Sequence, residues 1–241
     1  MGQRIAMWSG PRNLSTAMMY AFAARGDCAV WDEPFYAAYL RATGIDHPMR
    51  EAIIEAHDAD PASVARDCET AHAETHFYQK HMTLHMIPGF DRSFMRACDN
   101  VFLIRHPARV VASYARKREN PTLADIGFVQ QAELFDEVAQ QLGRAPLVID
   151  SADILANPQG ALTALCAALD IPFTERMLHW PAGPKPHDGT WAPHWYNAVH
   201  QSTGFDGAEG PLPQLAGAHA ALAEAALPIY VQLTQKKLTT V

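Results

Sequence analysis

One stretch of this chain has the residue types and spacing to hold an anion: Ser9-Gly10-Pro11-Arg12-Asn13-Leu14-Ser15-Thr16. It follows a short apolar run, Ile5-Ala6-Met7-Trp8, and leads into a helical pattern from Ala17 to Phe22. Strand, tight loop and helix in that order aim backbone N–H groups and a helix N-terminus at negative charge. Gly10 and Pro11 bend the chain, Arg12 brings a guanidinium, and Ser15 and Thr16 add hydroxyls to the first helical turn. The G-x-x-x-x-G-K-S/T pattern of a nucleotide-triphosphate loop is absent: no second glycine stands near Arg12 and no lysine precedes Ser15. Taken alone, the loop fits an ordinary β–α turn with a capping serine equally well.

A second anion motif follows the apolar run Val101-Phe102-Leu103-Ile104, where Arg105 must emerge at the carboxyl end of a buried strand. Pro107 suits the first position of the next helix, and Arg109 and Ser113 share a face of it at four-residue spacing. Arg105, Arg109, Arg116, Lys117 and Arg118 crowd into fourteen positions of a chain whose net charge is −7. Such a cluster is also what a solvated helix end looks like.

Two proton acceptors stand at strand ends. Glu33 closes Cys28-Ala29-Val30-Trp31 just before Pro34, and His81 follows the alternating run Thr75 to Lys80. An imidazole titrating near neutrality suits proton removal, and a strand-end carboxylate serves as well. Their bland alternatives are an exposed or salt-bridged carboxylate and a hydrogen-bonded histidine, and a solvated side chain is the bland reading of Lys80. His72, His76, His81 and His85 have the spacing of metal ligands, but the first pair needs a helix where the pattern is strand-like, so no metal is expected.

These residues need a frame of strands alternating with helices. Further elements are a strand over 146–150, helices over 125–142 and 158–169, and a helix over 214–238 kinked or interrupted at Pro228. The helix after Pro107 is expected to run to about Glu119, and 36–72 is expected to be a charged helical excursion. Residues 181–213, rich in Pro, Gly and Trp, form a long ordered loop of the kind that carries function. Alternation of this sort predicts a mostly parallel sheet whose ligands bind at the carboxyl ends of the strands.

With 49% hydrophobic and 19% charged residues the composition is globular, and 241 residues fit one α/β domain spanning 1–241. The acidic balance argues against nucleic acid as a bulk partner. Four scattered cysteines without a C-x-x-C pair give neither a zinc site nor a disulfide framework. Without a leader-like or bilayer-length apolar run, a cytoplasmic protein with no membrane partner is expected.

In order along the chain, these motifs resemble the sulfotransferase family. Its 5′-phosphosulfate loop is similar to Gly10, Pro11, Arg12, Asn13, Leu14, Ser15 and Thr16, and Arg105 with Ser113, eight residues apart, resembles its 3′-phosphate pair. Val148 to Pro158 with Ile171-Pro172-Phe173 resembles a further family segment, and Trp31-Asp32-Glu33-Pro34-Phe35 resembles the E-P segment of its carbohydrate and bacterial branches. Leu14 departs from the family's usual Gly, Arg12 from the lysine of many members, and Lys185 to Trp191 only hints at the family's basic Gly-rich segment.

The resemblance implies a three-layer α/β fold, related to that of P-loop nucleotide hydrolases, with a central sheet flanked by helices. It also implies 3′-phosphoadenosine-5′-phosphosulfate as donor, no metal, and a hydroxyl or amine of a small molecule as acceptor. Arg12 would be the cation at the leaving oxygen and Glu33 or His81 the base. Two other classes share these features: a small-molecule kinase, and a degenerate fold that binds a phosphorylated ligand or protein without turnover.

Overall fold

The apolar runs become the strands of one sheet. β1 (Gln3–Ser9), β2 (Cys28–Asp32), β3 (His76–Met82), β4 (Asp99–Ile104) and β5 (Leu147–Asp150) lie in the order β2-β3-β1-β4-β5. Every pairing is parallel, so the sheet expected to be mostly parallel is parallel throughout. This computed structural model describes residues 2–117 and 120–240.

Helices join and cover the strands. α1 (Ser15–Ala24) connects β1 to β2, while α2 (Tyr36–Thr43), α3 (Arg50–Ala56) and α4 (Pro61–Cys68) form the excursion before β3. α5 (Pro107–Tyr114) and α6 (Phe128–Leu142) connect β4 to β5. After β5 come α7 (Ser151–Ala156), α8 (Pro158–Ala168), α9 (Ala192–Trp195), α10 (Asn197–His200) and α11 (Gly217–Thr234). Asp150 accepts from Ala152 N at 2.9 Å to open α7, and Asn157 accepts from Gly160 N at 3.0 Å to open α8. These caps satisfy donors that a helix start leaves over.

Strand alternation divides the core between the two faces of the sheet. Ile5 and Met7 of β1, with Tyr78, Leu103 and Ile149, pack on Met18 and Phe22 of α1 and Leu162 and Leu165 of α8. Ala6 and Trp8, with Phe102 and Val148, pack on the other side against Phe94 and on Leu134 and Phe135 of α6. A fully buried side chain of this size contributes about 1.5–3 kcal/mol, so covering both faces is what holds the strand order.

Connections from β1 lead toward β2, and those from β4 lead toward β5. The crevice between β1 and β4 is therefore the place where a parallel sheet opens at its carboxyl end. The loop of 10–14 and Arg105 both lie there.

Three boundaries differ from those read in the sequence. The helix after Pro107 ends at Tyr114 and turns over 115–117, while Arg118 and Glu119, its expected end, lie outside the described residues. α6 starts at Phe128 rather than at Asp125, because Gly127 takes a left-handed φ of 72° just before it and Asp125 instead closes a turn on Thr122. α11 runs without interruption through Pro228, packed on α5 and α6; tertiary packing outweighs the lost backbone bond.

Candidate functional site

A cavity of about 300 Å³ opens over the carboxyl ends of the strands. Its first wall is the loop after β1. Gly10 is demanded by space: a Cβ there would lie 2.6 Å from the Ile126 carbonyl oxygen. Arg12 and Leu14 both take left-handed φ, at 63° and 73°, which costs a non-glycine residue roughly 1–2 kcal/mol each. Leu14 thus holds a left-handed conformation that glycine adopts at less cost.

The loop is held at both ends. Asn13 Nδ2 donates to Leu103 O at 3.2 Å, and Met18 N donates to Leu14 O at 3.1 Å where α1 begins. No side chain caps that helix, and Leu14, Ser15 and Thr16 line the cavity at its start. An uncapped N-terminus carries partial positive charge and unspent N–H groups.

Two arginines face this helix end. Arg105 Nη1 donates to Arg12 O at 2.7 Å, and Arg12 Nε donates to Ser113 Oγ on α5 at 3.0 Å. Burial lowers the Arg12 pKa, and the neighbouring Arg105 and Arg116 charges lower it further. Cations gathered this closely in a partly buried place favour an anion between them. Arg105 Nη2 also meets the carboxylate of Glu209, which is paired with Arg109 as well.

The opposite wall carries buried charge. Lys80 Nζ donates to Asp32 Oδ1 at 2.8 Å, to Glu33 Oε1 at 2.5 Å and to Tyr196 OH at 2.6 Å. Tyr196 OH donates to Asp32 Oδ2 at 2.7 Å and accepts from Trp191 Nε1 at 3.0 Å, while Gly189 N donates to Asp32 Oδ2 at 3.0 Å. One ammonium faces two carboxylates. Burial raises the Glu33 pKa, and Asp32 adds to that against the pull of Lys80. Burial works against the charged form of Lys80, yet the two carboxylates outweigh it and raise its pKa. The second Glu33 oxygen, Oε2, stands 3.9 Å from His85 Nδ1. Glu33 holds a left-handed φ of 43°, fixed by its N–H on the Lys80 carbonyl at 2.9 Å.

A model of the sulfotransferase domain matches residues 3–237. The chain belongs to the sulfotransferase-domain family. Two Arabidopsis thaliana proteins, the branched-chain-amino-acid aminotransferase-like proteins 1 and 2, are 36% and 34% identical to it over 227 residues. These matches cover 94% of this chain but 40% of either relative, so the chain spans well under half of their length. The sulfotransferase domain from the curacin biosynthetic pathway is similar in fold, with a TM-score of 0.54 and 16% identity. That likeness covers 93% of this chain and 97% of the other.

In this sulfotransferase domain most of the motif residues meet in the one cavity. Pro11, Arg12, Asn13, Leu14, Ser15 and Thr16 line it, as do Glu33, Arg105 and Ser113. Gly10 supports the loop from behind. His81 is not brought there, which corrects the expectation that it competes as a base. Successive residues of β3 point to opposite faces, so Lys80 looks into the cavity and His81 looks away. His81 stacks on Trp8 at 4.3 Å and faces Phe94. Its Nε2 pairs with Gln79 Oε1 at 3.0 Å, and burial lowers its pKa to about 3.

Lys80 is likewise no solvated side chain, at 1% exposure. Of the late aromatics, Trp195 and Tyr196 line the cavity, whereas Trp180 pins the loop by donating to Ser202 Oγ at 3.1 Å. Lys185 lies over the Tyr20 ring, and no residue of 185–191 lines the cavity with Arg105. Tyr36 and Glu209 escaped the sequence reading, and His85 entered it only as a possible metal ligand. Tyr36 and His85 stack at 4.4 Å beside Glu33, and burial, with His47 and Lys80, holds the His85 pKa well below its usual value.

Proposed function

We propose that this domain transfers a sulfonate group from 3′-phosphoadenosine-5′-phosphosulfate to a hydroxyl or amine of a small-molecule acceptor. The observation that carries this reading is convergence. An uncapped helix start with Arg12, the residues Arg105 and Ser113 of the second anion motif, and a buried carboxylate of raised pKa reach one cavity from three different β–α connections.

Each part has a task. The loop N–H groups with Ser15 and Thr16 hold the 5′-phosphosulfate, and Arg105 and Ser113 serve the 3′-phosphate. Transfer is an in-line displacement: the acceptor oxygen or nitrogen bonds to sulfur as the sulfur–oxygen bond to the phosphate breaks. Glu33 takes the acceptor's proton: it lines the cavity, and while Oε1 is tied to Lys80, Oε2 lies 3.9 Å from His85 Nδ1, beyond hydrogen-bond distance. Negative charge moves onto the phosphate oxygen, where Arg12 meets it; a guanidinium stabilises that charge without donating a proton. Lys80, Asp32 and Tyr196 are positioning residues for Glu33.

The wall of Tyr36, Tyr114 and Trp195 offers aromatic faces to an acceptor. A protein that only bound a phosphorylated ligand would gain nothing from ionised groups buried beside the cavity, and burying them is costly. The test is a turnover assay with the sulfonate donor and a panel of alcohols, phenols, sugars and amines, with release of the 3′,5′-bisphosphate followed. Acceptor-dependent release is the expected result. Tight donor binding with no release, including none to water, overturns catalysis and leaves the binding reading.

A further inference from the structure

Glu209 pairs with Arg105, the arginine that the donor reading assigns to the 3′-phosphate. Its Oε1 accepts from Arg105 Nη2, and its Oε2 lies 2.9 Å from Arg109 Nε, so one carboxylate spans both guanidiniums of the second anion motif. The side chain is 11% exposed, yet it belongs to a strap, Asp206-Gly207-Ala208-Glu209-Gly210, whose other residues are exposed and in no regular element.

We infer that Glu209 is an internal competitor for the 3′-phosphate and thereby sets the affinity and selectivity of the donor site. This rests on the donor reading given above. Three observations support it. First, the strap is lightly held: a Cβ at Gly207 or Gly210 would meet nothing within 4 Å. Its further tie to the arginines is the Gly210 carbonyl, which accepts from Arg109 Nη2. Second, the carboxylate does not use the site up. Arg105 Nε is buried without a hydrogen-bond partner, and Glu209 Oε2, though close to Arg109, has no well-aligned donor. A dianionic phosphate with three oxygens satisfies more of those donors than a carboxylate with two. Third, Arg105, a cation that lines the pocket, is neutralised by the chain itself, and the covalent tether gives Glu209 a high local concentration there.

Displacement of Glu209 therefore precedes donor binding. When only a fraction of the molecules have the arginines open, the apparent affinity falls by that fraction. The competitor acts on ligands with a 3′-phosphate and not on those with a 5′-phosphate alone.

Calorimetric titration of adenosine 3′,5′-bisphosphate and of 5′-AMP into the wild-type chain, Glu209→Gln, Glu209→Ser and Arg105→Ala tests this. Thermal melts establish that each variant is folded. Both Glu209 variants should bind the bisphosphate about tenfold or more tightly than wild type, with 5′-AMP changed less than about twofold. If bisphosphate affinity stays the same or falls, or both nucleotides gain equally, while Arg105→Ala still weakens the bisphosphate selectively, Glu209 is no competitor and the donor reading stands. If wild type has no preference for the bisphosphate and Arg105→Ala is silent, the donor reading itself fails and takes the inference with it.

Discussion

Arg12→Ala should lower turnover of the sulfonate donor on the order of a hundredfold or more, with a much smaller loss of donor affinity. The reason is where charge develops. Before transfer the bridging oxygen carries little negative charge, and its share grows as the bond to sulfur breaks, so an interaction with Arg12 strengthens toward the transition state. Two contacts hold Arg12 ready: Nε on Ser113 Oγ at 3.0 Å, and Nη1 near the Trp195 carbonyl at 3.5 Å. The guanidinium therefore pays little reorganisation when the charge arrives. Lysine at this position supplies the charge without the fork and should recover part of the rate. Single-turnover rates and donor affinity, measured separately on Arg12→Ala and Arg12→Lys, decide the matter. A loss confined to affinity would make Arg12 a ligand-holding residue only.

Glu33→Gln carries the second large effect. General-base catalysis contributes about a hundredfold to ten-thousandfold, and glutamine keeps the shape of the side chain while removing the base. Lys80 is the poorer target for this purpose. Removing it leaves Asp32 and Glu33 buried without their cation, and breaking a buried ion pair costs about 3–5 kcal/mol, enough to confuse chemistry with unfolding. In Glu33→Gln the ammonium keeps Asp32 as its partner.

The sign of the pH dependence follows from the raised Glu33 pKa. The carboxyl must be ionised to accept a proton, so wild-type turnover falls as pH drops through that raised value, above the ordinary carboxylate range. Glu33→Gln should lose this acid limb along with most of the rate, as pH profiles of kcat/KM on both proteins would show. A variant that stays within about threefold of wild type at every pH would remove Glu33 from proton transfer, since the loss expected of a base is far larger.

The legible parts of the molecule were those fixed by local patterns. Ile5 to Trp8 and Val101 to Ile104 are continuous apolar runs, and a strand buried on both faces in a parallel sheet has no other signature. The loop between Ser9 and Ser15 was legible because Gly and Pro punctuate it. Leu14 was harder: its left-handed φ is imposed by contacts of the folded loop, not by its own preference.

Parity decided the fate of His81. A strand end shows two neighbours, Lys80 and His81, and only the folded sheet shows which of them shares a face with the cavity. Tyr196 and Glu209 lie 116 and 104 residues from the partners they meet. No periodicity links groups so far apart. At Pro228 the interruption that a local rule about proline allows does not occur, because α11 is packed on α5 and α6.

The central claim is that this cavity takes a nucleotide bearing both a 3′- and a 5′-phosphate. Thermal shift of the intact chain with adenosine 3′,5′-bisphosphate, 5′-AMP, and ATP with magnesium, each over a range of concentrations, measures it directly, because a ligand that binds the folded state raises the melting temperature with the logarithm of its concentration relative to its dissociation constant. The 3′,5′-bisphosphate should give the largest rise at every concentration. A larger rise with ATP and magnesium would contradict the account and point to a kinase.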